Sequence, residues 1–188
     1  NENILERLRE RNQVREELKA NKEKNKMPML KPDHEERHRV WLERKLEGHR
    51  HKQEVEDVFQ AILKSSKKIQ ARKLFSYNIV LIGFMGSGKS TISEYLHTLF
   101  DMEIIEMDQM IAKREGMSIS DIFETRGEEY FRNLETSLLI EMQERTNVVI
   151  SCGGGVPLRE QNVVEMKKNG RVVLLTASPE TILERVKN

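Results

Sequence analysis

Residues 79–100 carry the arrangement of residue types with the clearest chemical consequence. A short apolar run ends at Ile82, and the next eight residues read GFMGSGKS, with glycines at Gly83, Gly86 and Gly88. Glycine lets the backbone turn tightly and aim successive N–H groups at an anion. An amphipathic segment follows, and the positive end of its helix dipole would add to that attraction. The spacing predicts a strand, a phosphate-binding loop and a helix, which is the context that this motif requires.

The loop residues divide between the nucleotide and its metal ion. Lys89 can reach the β- and γ-phosphates of ATP, and the Ser90 hydroxyl can bind Mg²⁺. ATP and Mg²⁺ are therefore the predicted cofactors. The predicted ATP-binding residues are Gly83, Gly86, Ser87, Gly88, Lys89, Ser90 and Thr91.

Three further clusters follow the loop along the chain. Glu106 and Asp108 come at the end of the second predicted strand, where two carboxylates can face a ligand crevice. Arg132 and Glu135 are three residues apart on a predicted helix, so the glutamate can orient the guanidinium toward a carboxylate substrate. Three glycines, which let a small ligand lie against the backbone, follow the third strand at Gly153, Gly154 and Gly155.

Each cluster also has a plainer interpretation. An aspartate after a strand is often a helix N-cap, a helical Arg-x-x-Glu is often a solvated surface pair, and a glycine triplet is often a flexible turn. All three clusters are predicted on the same side of one sheet as the phosphate loop. That shared placement favours a functional site.

The pattern of apolar residues divides the chain into two predicted domains, residues 1–74 and 75–188. The first predicts three helices, at 3–24, 33–47 and 53–73. The second alternates strands, at 79–82, 103–106, 148–151 and 171–175, with helices at 89–100, 107–115, 118–126, 128–145, 158–168 and 179–187. The predicted fold class is therefore α plus α/β, a three-helix domain followed by a parallel sheet with flanking helices.

Composition narrows the possible partners. The 188 residues carry a net charge of +1, which does not steer the whole chain toward nucleic acid. Residues 1–74 have an excess of Lys and Arg, and residues 75–188 an excess of Asp and Glu, which suggests two modules with different ligands. The single cysteine, Cys152, fits a reducing compartment, so a cytoplasmic protein is predicted. No apolar stretch is long enough to cross a bilayer, and no membrane partner is expected.

Residues 77–188 closely resemble the shikimate kinase family. The resemblance rests on GFMGSGKST, the acid-x-Asp pair at residues 106–108, GMSISDIFETRGEEYFRNLE, ISCGGGVPLR and VVLLTASPETILERV, in that order. It implies a P-loop kinase that transfers phosphate from ATP to the 3-hydroxyl of shikimate, in aromatic amino-acid biosynthesis. A kinase for another small hydroxy compound, similar to gluconate kinase, is the alternative for this half.

The resemblance also implies roles for individual residues. Asp108 holds the substrate hydroxyls and assists proton removal, and it is the implied catalytic residue together with Lys89. Arg132 binds the shikimate carboxylate, and the triplet from Gly153 to Gly155 lines the substrate site. Ser90 and Glu106 are the implied Mg²⁺ residues, although the family usually has Asp at the second position. The family's lid and C-terminal part would follow residue 188, so the chain to that point is expected to phosphorylate shikimate poorly.

Residues 1–74 resemble the all-helical class of chorismate mutase in the order and spacing of ILERLRERNQVREELKANK, KMPMLKPDHEER and FQAILKSSKKIQ. The resemblance implies the rearrangement of chorismate to prephenate, which needs a site that holds a compact dicarboxylate and places donors on its ether oxygen. The implied donors are Lys22 and Gln70. The implied chorismate-binding residues are Arg11, Lys22, Glu35, Ser66 and Gln70.

This half departs from the family at several positions. His34 stands where the family has Arg, Lys31 stands where it has Asp, and a further Arg that the family supplies from the partner subunit would precede Asn1. A dimerisation module, or a module that senses chorismate or prephenate with little turnover, is therefore the alternative. Because three such helices have more apolar surface than they can cover, a homodimer through this domain is predicted.

Overall fold

The computed structural model describes residues 2–24 and 33–187, and within these ranges the side chains of residues 15, 19–23 and 33–35 are outside the description. The chain divides into two compact units, Asn1–Ser66 and Lys67–Asn188. The predicted boundary at residue 74 is the end of a helix that crosses from one unit into the other. We describe each unit by itself.

The first unit is built from helices. They are α1 (Glu2–Lys24), α2 (Asp33–Lys45) and the part of α3 (Lys52–Leu74) up to Ser66. Each agrees with its predicted bounds to within two residues. Gly48, which lies between α2 and α3, has a φ of 74°, a left-handed conformation that glycine adopts without strain.

The first unit has a small buried core. Leu42, Leu46 and Ser66 are buried, and the Trp41 and Phe59 rings pack with centroids 6.2 Å apart. Large apolar side chains remain exposed on all three helices, at Ile4, Leu5, Val14, Leu18, Val40, Trp41, Val55 and Val58. Burial of apolar side chains is the main source of folding free energy, so a unit with this much apolar surface in water is a poor candidate for independent stability.

The second unit alternates strands and helices, as predicted. Its strands are β1 (Asn78–Ile82), β2 (Glu103–Glu106), β3 (Val148–Ser151) and β4 (Gly170–Leu174). Its complete helices are α4 (Lys89–Phe100), α5 (Met107–Glu115), α6 (Ile119–Arg126), α7 (Glu128–Glu141), α8 (Glu160–Lys168) and α9 (Pro179–Val186). Short 3₁₀ turns at Met142–Glu144 and Val156–Leu158 follow α7 and precede α8.

The four strands form one parallel sheet in the order β2-β3-β1-β4. The two central strands, with sequences NIVLI and VVIS, are almost wholly buried, as expected of parallel strands that are covered on both faces. Connections from β1 lead to one side of the sheet and those from β3 to the other. This reversal leaves a crevice at the carboxyl ends of β1 and β3, where open α/β sheets bind ligands.

The core of this unit lies between the sheet and helices α5 to α8. Fourteen buried side chains form it, among them Val80, Ile105 and Ile150 from the strands and Phe131 and Leu138 from α7.

Ser118 and Asp121 form a reciprocal capping box at the start of α6. None of the helices described here combines the length and the apolar character that crossing a membrane requires.

Candidate active site

The phosphate-binding loop connects β1 to α4. Gly83 has a φ of 144°, and a Cβ atom added there would lie 2.3 Å from the carbonyl oxygen of Leu175, just beyond β4. Gly86 and Gly88 have φ values of 79° and 99°. Glycine is required at Gly83 for its backbone conformation and because the loop passes directly against the end of β4, the neighbouring strand in the sheet.

The loop is suited to an anion. Among the residues that the structure describes, no side chain caps the start of α4, so its first backbone N–H groups keep their capacity to bind a ligand. The Ser87 hydroxyl is buried and has no hydrogen-bond partner among the described residues. The Lys89 ammonium donates to the carbonyl oxygens of Gly83 and Phe84, at 2.8 and 3.1 Å. Ser90 and Thr91 are exposed in the first turn of α4.

Asp108 lies at the start of α5, immediately after β2. A Cβ atom added at Gly153 would lie 2.8 Å from Asp108 Oδ1, so the carboxylate rests against the backbone that follows β3. Asp108 is exposed, but the protein around it still displaces enough water to raise the pKa of its carboxyl group, although the charges of Lys89 and Arg132 act in the opposite direction. Both cations therefore lie close enough to the Asp108 carboxylate to lower its pKa.

Arg132 projects from α7 between two glutamates. Its Nη1 donates to both carboxylate oxygens of Glu135, at 3.1 and 2.9 Å, and its Nε and Nη2 donate to Glu128, at 3.2 and 3.0 Å. Glu135 is only 1% exposed, which excludes the interpretation of this pair as a solvated surface contact. Burial raises the pKa of Glu135, while Arg132 lowers it. Because the two glutamates hold three of its nitrogens, the guanidinium has one orientation.

The third contact of Arg132 is with the glycine triplet. A Cβ atom added at Gly155 would lie 2.5 Å from Nη1 and 2.8 Å from Nη2, so no other residue fits there without displacing the guanidinium. An added Cβ at Gly154 would meet open space. A side chain at Gly153 would therefore have to displace the Asp108 carboxylate, and one at Gly155 the Arg132 guanidinium, whereas Gly154 carries no such constraint from the described residues.

Matches with known proteins agree with this geometry. The family model described as shikimate kinase matches residues 85–188, more than half of the chain. The chain belongs to the shikimate kinase family.

Individual members of the family show the extent of the match. The shikimate kinase of Caldanaerobacter subterraneus is 46% identical over 109 residues, which are 58% of this chain and 64% of that protein. The bifunctional shikimate kinase/3-dehydroquinate synthase of Thermotoga maritima is 48% identical over 108 residues, 57% of this chain and 22% of that protein. The solved structure of Acinetobacter baumannii shikimate kinase in complex with shikimate is 37% identical, with a TM-score of 0.55, over 58% of this chain and 62% of that one. The chain thus spans just under two thirds of the first relative's length.

Two further residues lie at the carboxyl ends of β2 and β3. Glu106 is half-buried at the carboxyl end of β2, where it pairs in register with Ser151. Cys152 is buried, and burial raises its pKa to about 12, with the nearby carboxylates of Glu135 and Asp108 adding to the shift. Cys152 is therefore a neutral packing residue at physiological pH and not a nucleophile.

Two residues of this site were not predicted from the sequence. Glu128 was not identified as a partner of Arg132, although it precedes that residue by four, the spacing of helical ion pairs. Arg185 on α9 donates to the Gly86 carbonyl oxygen at 2.9 Å, a contact 99 residues apart in sequence that no local pattern signals.

In the helical unit, the structure brings together two of the predicted chorismate-binding residues. Arg11 Nη1 donates to Ser66 Oγ at 2.6 Å, and Ser66 Oγ in turn donates to the Ile62 carbonyl oxygen at 2.8 Å. Ser66 is buried, and partial burial lowers the pKa of Arg11. The side chains of Lys22, His34 and Glu35 lie outside the described part, as does Lys31, and Gln70 belongs to the portion of α3 in the second unit.

Proposed function

We propose that this protein transfers the γ-phosphoryl group of ATP to the 3-hydroxyl of shikimate, as a step in aromatic amino-acid biosynthesis. The observation that carries the proposal is the convergence of Asp108 and Arg132 on one strip of glycine backbone, within electrostatic reach of Lys89. A carboxylate base, a carboxylate-binding cation and a phosphate-binding loop are together what a hydroxy-acid kinase requires. Membership of the family supports the choice of substrate.

In this proposal the phosphate loop stabilises negative charge on the transferred group. Backbone N–H groups at the start of α4, together with Lys89, meet the charge that spreads over the phosphoryl oxygens in the transition state. The buried Ser87 hydroxyl, which has no hydrogen-bond partner among the described residues, supplies one more donor within the loop. Lys89 exchanges its carbonyl partners for phosphate oxygens when ATP binds.

Asp108 acts on the other reactant. Its carboxylate accepts the proton of the substrate hydroxyl as the oxygen attacks the γ-phosphorus, and the bond from that phosphorus to the bridging oxygen of ADP breaks. The raised pKa brings Asp108 closer to the range in which a carboxylate is an effective base. Arg132 binds the carboxylate of the acid and thereby fixes which hydroxyl faces Asp108.

Mg²⁺ fits the residues at this edge of the sheet. The Ser90 hydroxyl and the Glu106 carboxylate are hard oxygen ligands of the kind that Mg²⁺ prefers, and one or two such groups suffice when phosphates complete the coordination. These two residues would hold the ion, directly or through water. When bound, Mg²⁺ neutralises charge on the phosphates of ATP.

Replacing Asp108 with asparagine tests the proposal. We expect kcat for shikimate phosphorylation to fall about 10²- to 10⁴-fold, because the amide cannot accept the proton. We also expect the acidic limb of the wild-type pH–kcat/KM profile, which reports the free enzyme, to lie above the ordinary range of an aspartate, because Asp108 must lose its proton to act and its pKa is raised. That limb should disappear in Asp108→Asn. Unchanged kcat in the variant would contradict the assigned base.

A substrate panel separates shikimate from other small hydroxy compounds. Because Arg132 presents a cation beside Asp108, we expect ATP consumption with shikimate and little with a polyol of similar size that has no carboxylate. Faster turnover of gluconate than of shikimate would favour the alternative kinase.

We propose that the helical unit binds chorismate and rearranges it to prephenate. The contact that supports this is the hydrogen bond from half-buried Arg11 to buried Ser66, because it holds a cation and a hydroxyl together where a carboxylate could bind both. The loss of chorismate absorbance on adding the protein measures the reaction directly. Binding of chorismate without turnover would instead support the sensing module.

We further propose that two copies of the helical unit associate through its exposed apolar face. Ile4, Leu5 and Trp41 are each more than half exposed, and a second copy of the same unit offers the same apolar surface for mutual burial. We expect sedimentation velocity at micromolar concentration to give a dimer. A monomer at that concentration would count against the proposal.

A further inference from the structure

Helix α7 carries two adjacent rows of polar residues with different partners. The first row consists of Glu128, Arg132 and Glu135, whose mutual contacts orient the guanidinium. The second row is displaced by one residue and consists of Glu129, Asn133 and Thr136. All three members of the second row contact Arg159, the residue that precedes α8.

The second row begins a directed chain of hydrogen bonds through the interior. Arg159 Nη1 donates to Thr136 Oγ1 at 3.3 Å, Thr136 Oγ1 donates to Asn162 Oδ1 at 2.7 Å, and Asn162 Nδ2 donates to the Val156 carbonyl oxygen at 3.0 Å. The direction is determined by chemistry, because a carbonyl only accepts and so the amide nitrogen of Asn162 must face Val156. Thr136 also lies 3.0 Å from the Arg132 carbonyl oxygen, but its single hydroxyl hydrogen serves the shorter contact.

The interior part of this chain is sheltered from water. Thr136, Asn162 and Val156 are all buried, with Asn162 and Val156 at 0% exposure. Buried polar groups that lose a partner cannot recover it from solvent, so each link constrains its neighbours. The chain therefore connects α7 rigidly to the carbonyl of the residue that follows the glycine triplet.

The end of the chain is next to the closest contact of the site. Val156 follows Gly155, whose backbone lies against the Arg132 guanidinium, and the Val156 N–H donates to the Gly153 carbonyl oxygen at 3.2 Å. Gly153 in turn lies against the Asp108 carboxylate. A small displacement of Val156 would therefore change the spacing between the glycine backbone and both functional side chains.

We propose that Thr136 and Asn162 are positioning residues that hold the Gly153–Val156 backbone at the correct distance from Arg132 and Asp108, and so determine affinity for the acid substrate without contacting it. This inference rests on the proposed kinase function. The nucleotide-binding loop follows β1 and not β3, and none of the hydrogen bonds from Arg159 to Val156 involves it. Loss of one of these hydrogen bonds should therefore weaken the binding of the acid substrate and leave the binding of the nucleotide unchanged.

Thr136→Val removes the hydrogen bond to Asn162 while keeping the shape of the side chain, and Thr136→Ser preserves the hydroxyl. In Thr136→Val we expect the Kd for shikimate, measured by titration calorimetry, to rise about 5- to 50-fold because Asn162 loses its buried donor. The Kd for ATP should stay within about twofold, since the phosphate loop keeps its structure. Thr136→Ser should bind both ligands nearly as the wild type does. Thr125→Val, on the exposed face of α6, where Thr125 bonds the Asp121 carbonyl oxygen, is the matched control.

Amide hydrogen exchange gives a second readout that needs no substrate. We expect faster exchange at residues 153–156 in Thr136→Val than in the wild type or in Thr125→Val. If folded Thr136→Val binds shikimate as the wild type does, or loses shikimate and ATP affinity equally, the positioning role is wrong. If Thr136→Val does not fold, Thr136→Ala, which removes the same donor to Asn162, decides by the same two readouts.

The two proposals fail in distinguishable ways. A wild-type protein that binds no shikimate would overturn the kinase proposal. Amide hydrogen exchange at residues 153–156 would then still test whether Thr136 and Asn162 hold the Gly153–Val156 backbone. Faster exchange in Thr136→Val would support that role, and unchanged exchange would overturn it.

Discussion

Replacing Lys89 with methionine is expected to lower kcat/KM for shikimate phosphorylation at least about 10²- to 10³-fold, the usual effect of removing one preorganised group that stabilises charge in a transition state. The Lys89 ammonium donates to two carbonyl oxygens of the phosphate loop, and both acceptors are uncharged backbone groups. Removing it should therefore change the free energy of unfolding by no more than about 1 kcal/mol. Coupled ADP release and chemical denaturation measure the two quantities.

Lys67→Met is the matched control for this prediction. Lys67 donates to the Thr98 carbonyl oxygen at 2.7 Å, near the opposite end of the helix that Lys89 begins. Both substitutions remove one ammonium that is bonded to backbone carbonyl oxygens. We expect kcat/KM to stay within about twofold of the wild type in Lys67→Met. More than a tenth of wild-type kcat/KM in Lys89→Met would contradict the role assigned to that residue.

The second large effect is expected from Arg132→Met, which removes a substrate-binding cation and leaves a buried carboxylate without its partner. We expect the free energy of unfolding to fall by about 3–5 kcal/mol near pH 8, as when one member of a buried ion pair is removed. The Kd for shikimate should rise at least about 30-fold, because the lost interaction is a charge-assisted hydrogen bond to a carboxylate. Urea denaturation and calorimetry measure these effects.

The loss of stability should depend on pH because of Glu135. Burial raises the pKa of Glu135 above its ordinary value of 4.5, and Arg132 opposes that shift, so removing Arg132 raises the pKa further. Between the ordinary and the raised value, the folded protein binds more protons than the unfolded chain does. Stability therefore falls as pH rises through that interval. The difference between wild type and Arg132→Met should be smaller at pH 5 than at pH 8.

Two further variants separate the causes. In the double variant Arg132→Met/Glu135→Gln, the added pH dependence should vanish because the titrating group is gone, while shikimate affinity stays low. Arg114→Met removes a guanidinium that donates to both oxygens of Glu141, at 2.6 and 2.8 Å, but each side chain of that pair is about half exposed. We expect at most about 1 kcal/mol of destabilisation there. A pH-independent difference for Arg132→Met would contradict the account of Glu135.

Two helix boundaries show where local pattern stops being informative. The predicted helix at 128–145 ends at Glu141 and continues as a 3₁₀ turn, since Asn78 Nδ2 donates to the carbonyl oxygens of Met142 and Arg145 and so satisfies groups at the helix end. The helix predicted from residue 158 begins at Glu160, after a 3₁₀ turn whose Val156 carbonyl accepts from Asn162. The first partner is 64 residues away from Met142, and no pattern near the helix end could reveal it.

Local chemistry was enough to predict the strands, the helices, the phosphate loop and the pairing of Arg132 with Glu135. These features depend on side-chain periodicity, glycine conformation and the three-residue spacing of a helix, which act between near neighbours in the chain. The order β2-β3-β1-β4, the contact of Gly155 with the guanidinium, and the chain from Arg159 to Val156 were decided by the folded structure alone. They join residues that belong to different elements or loops, and such contacts depend on how complete elements pack against one another rather than on the pattern within any of them.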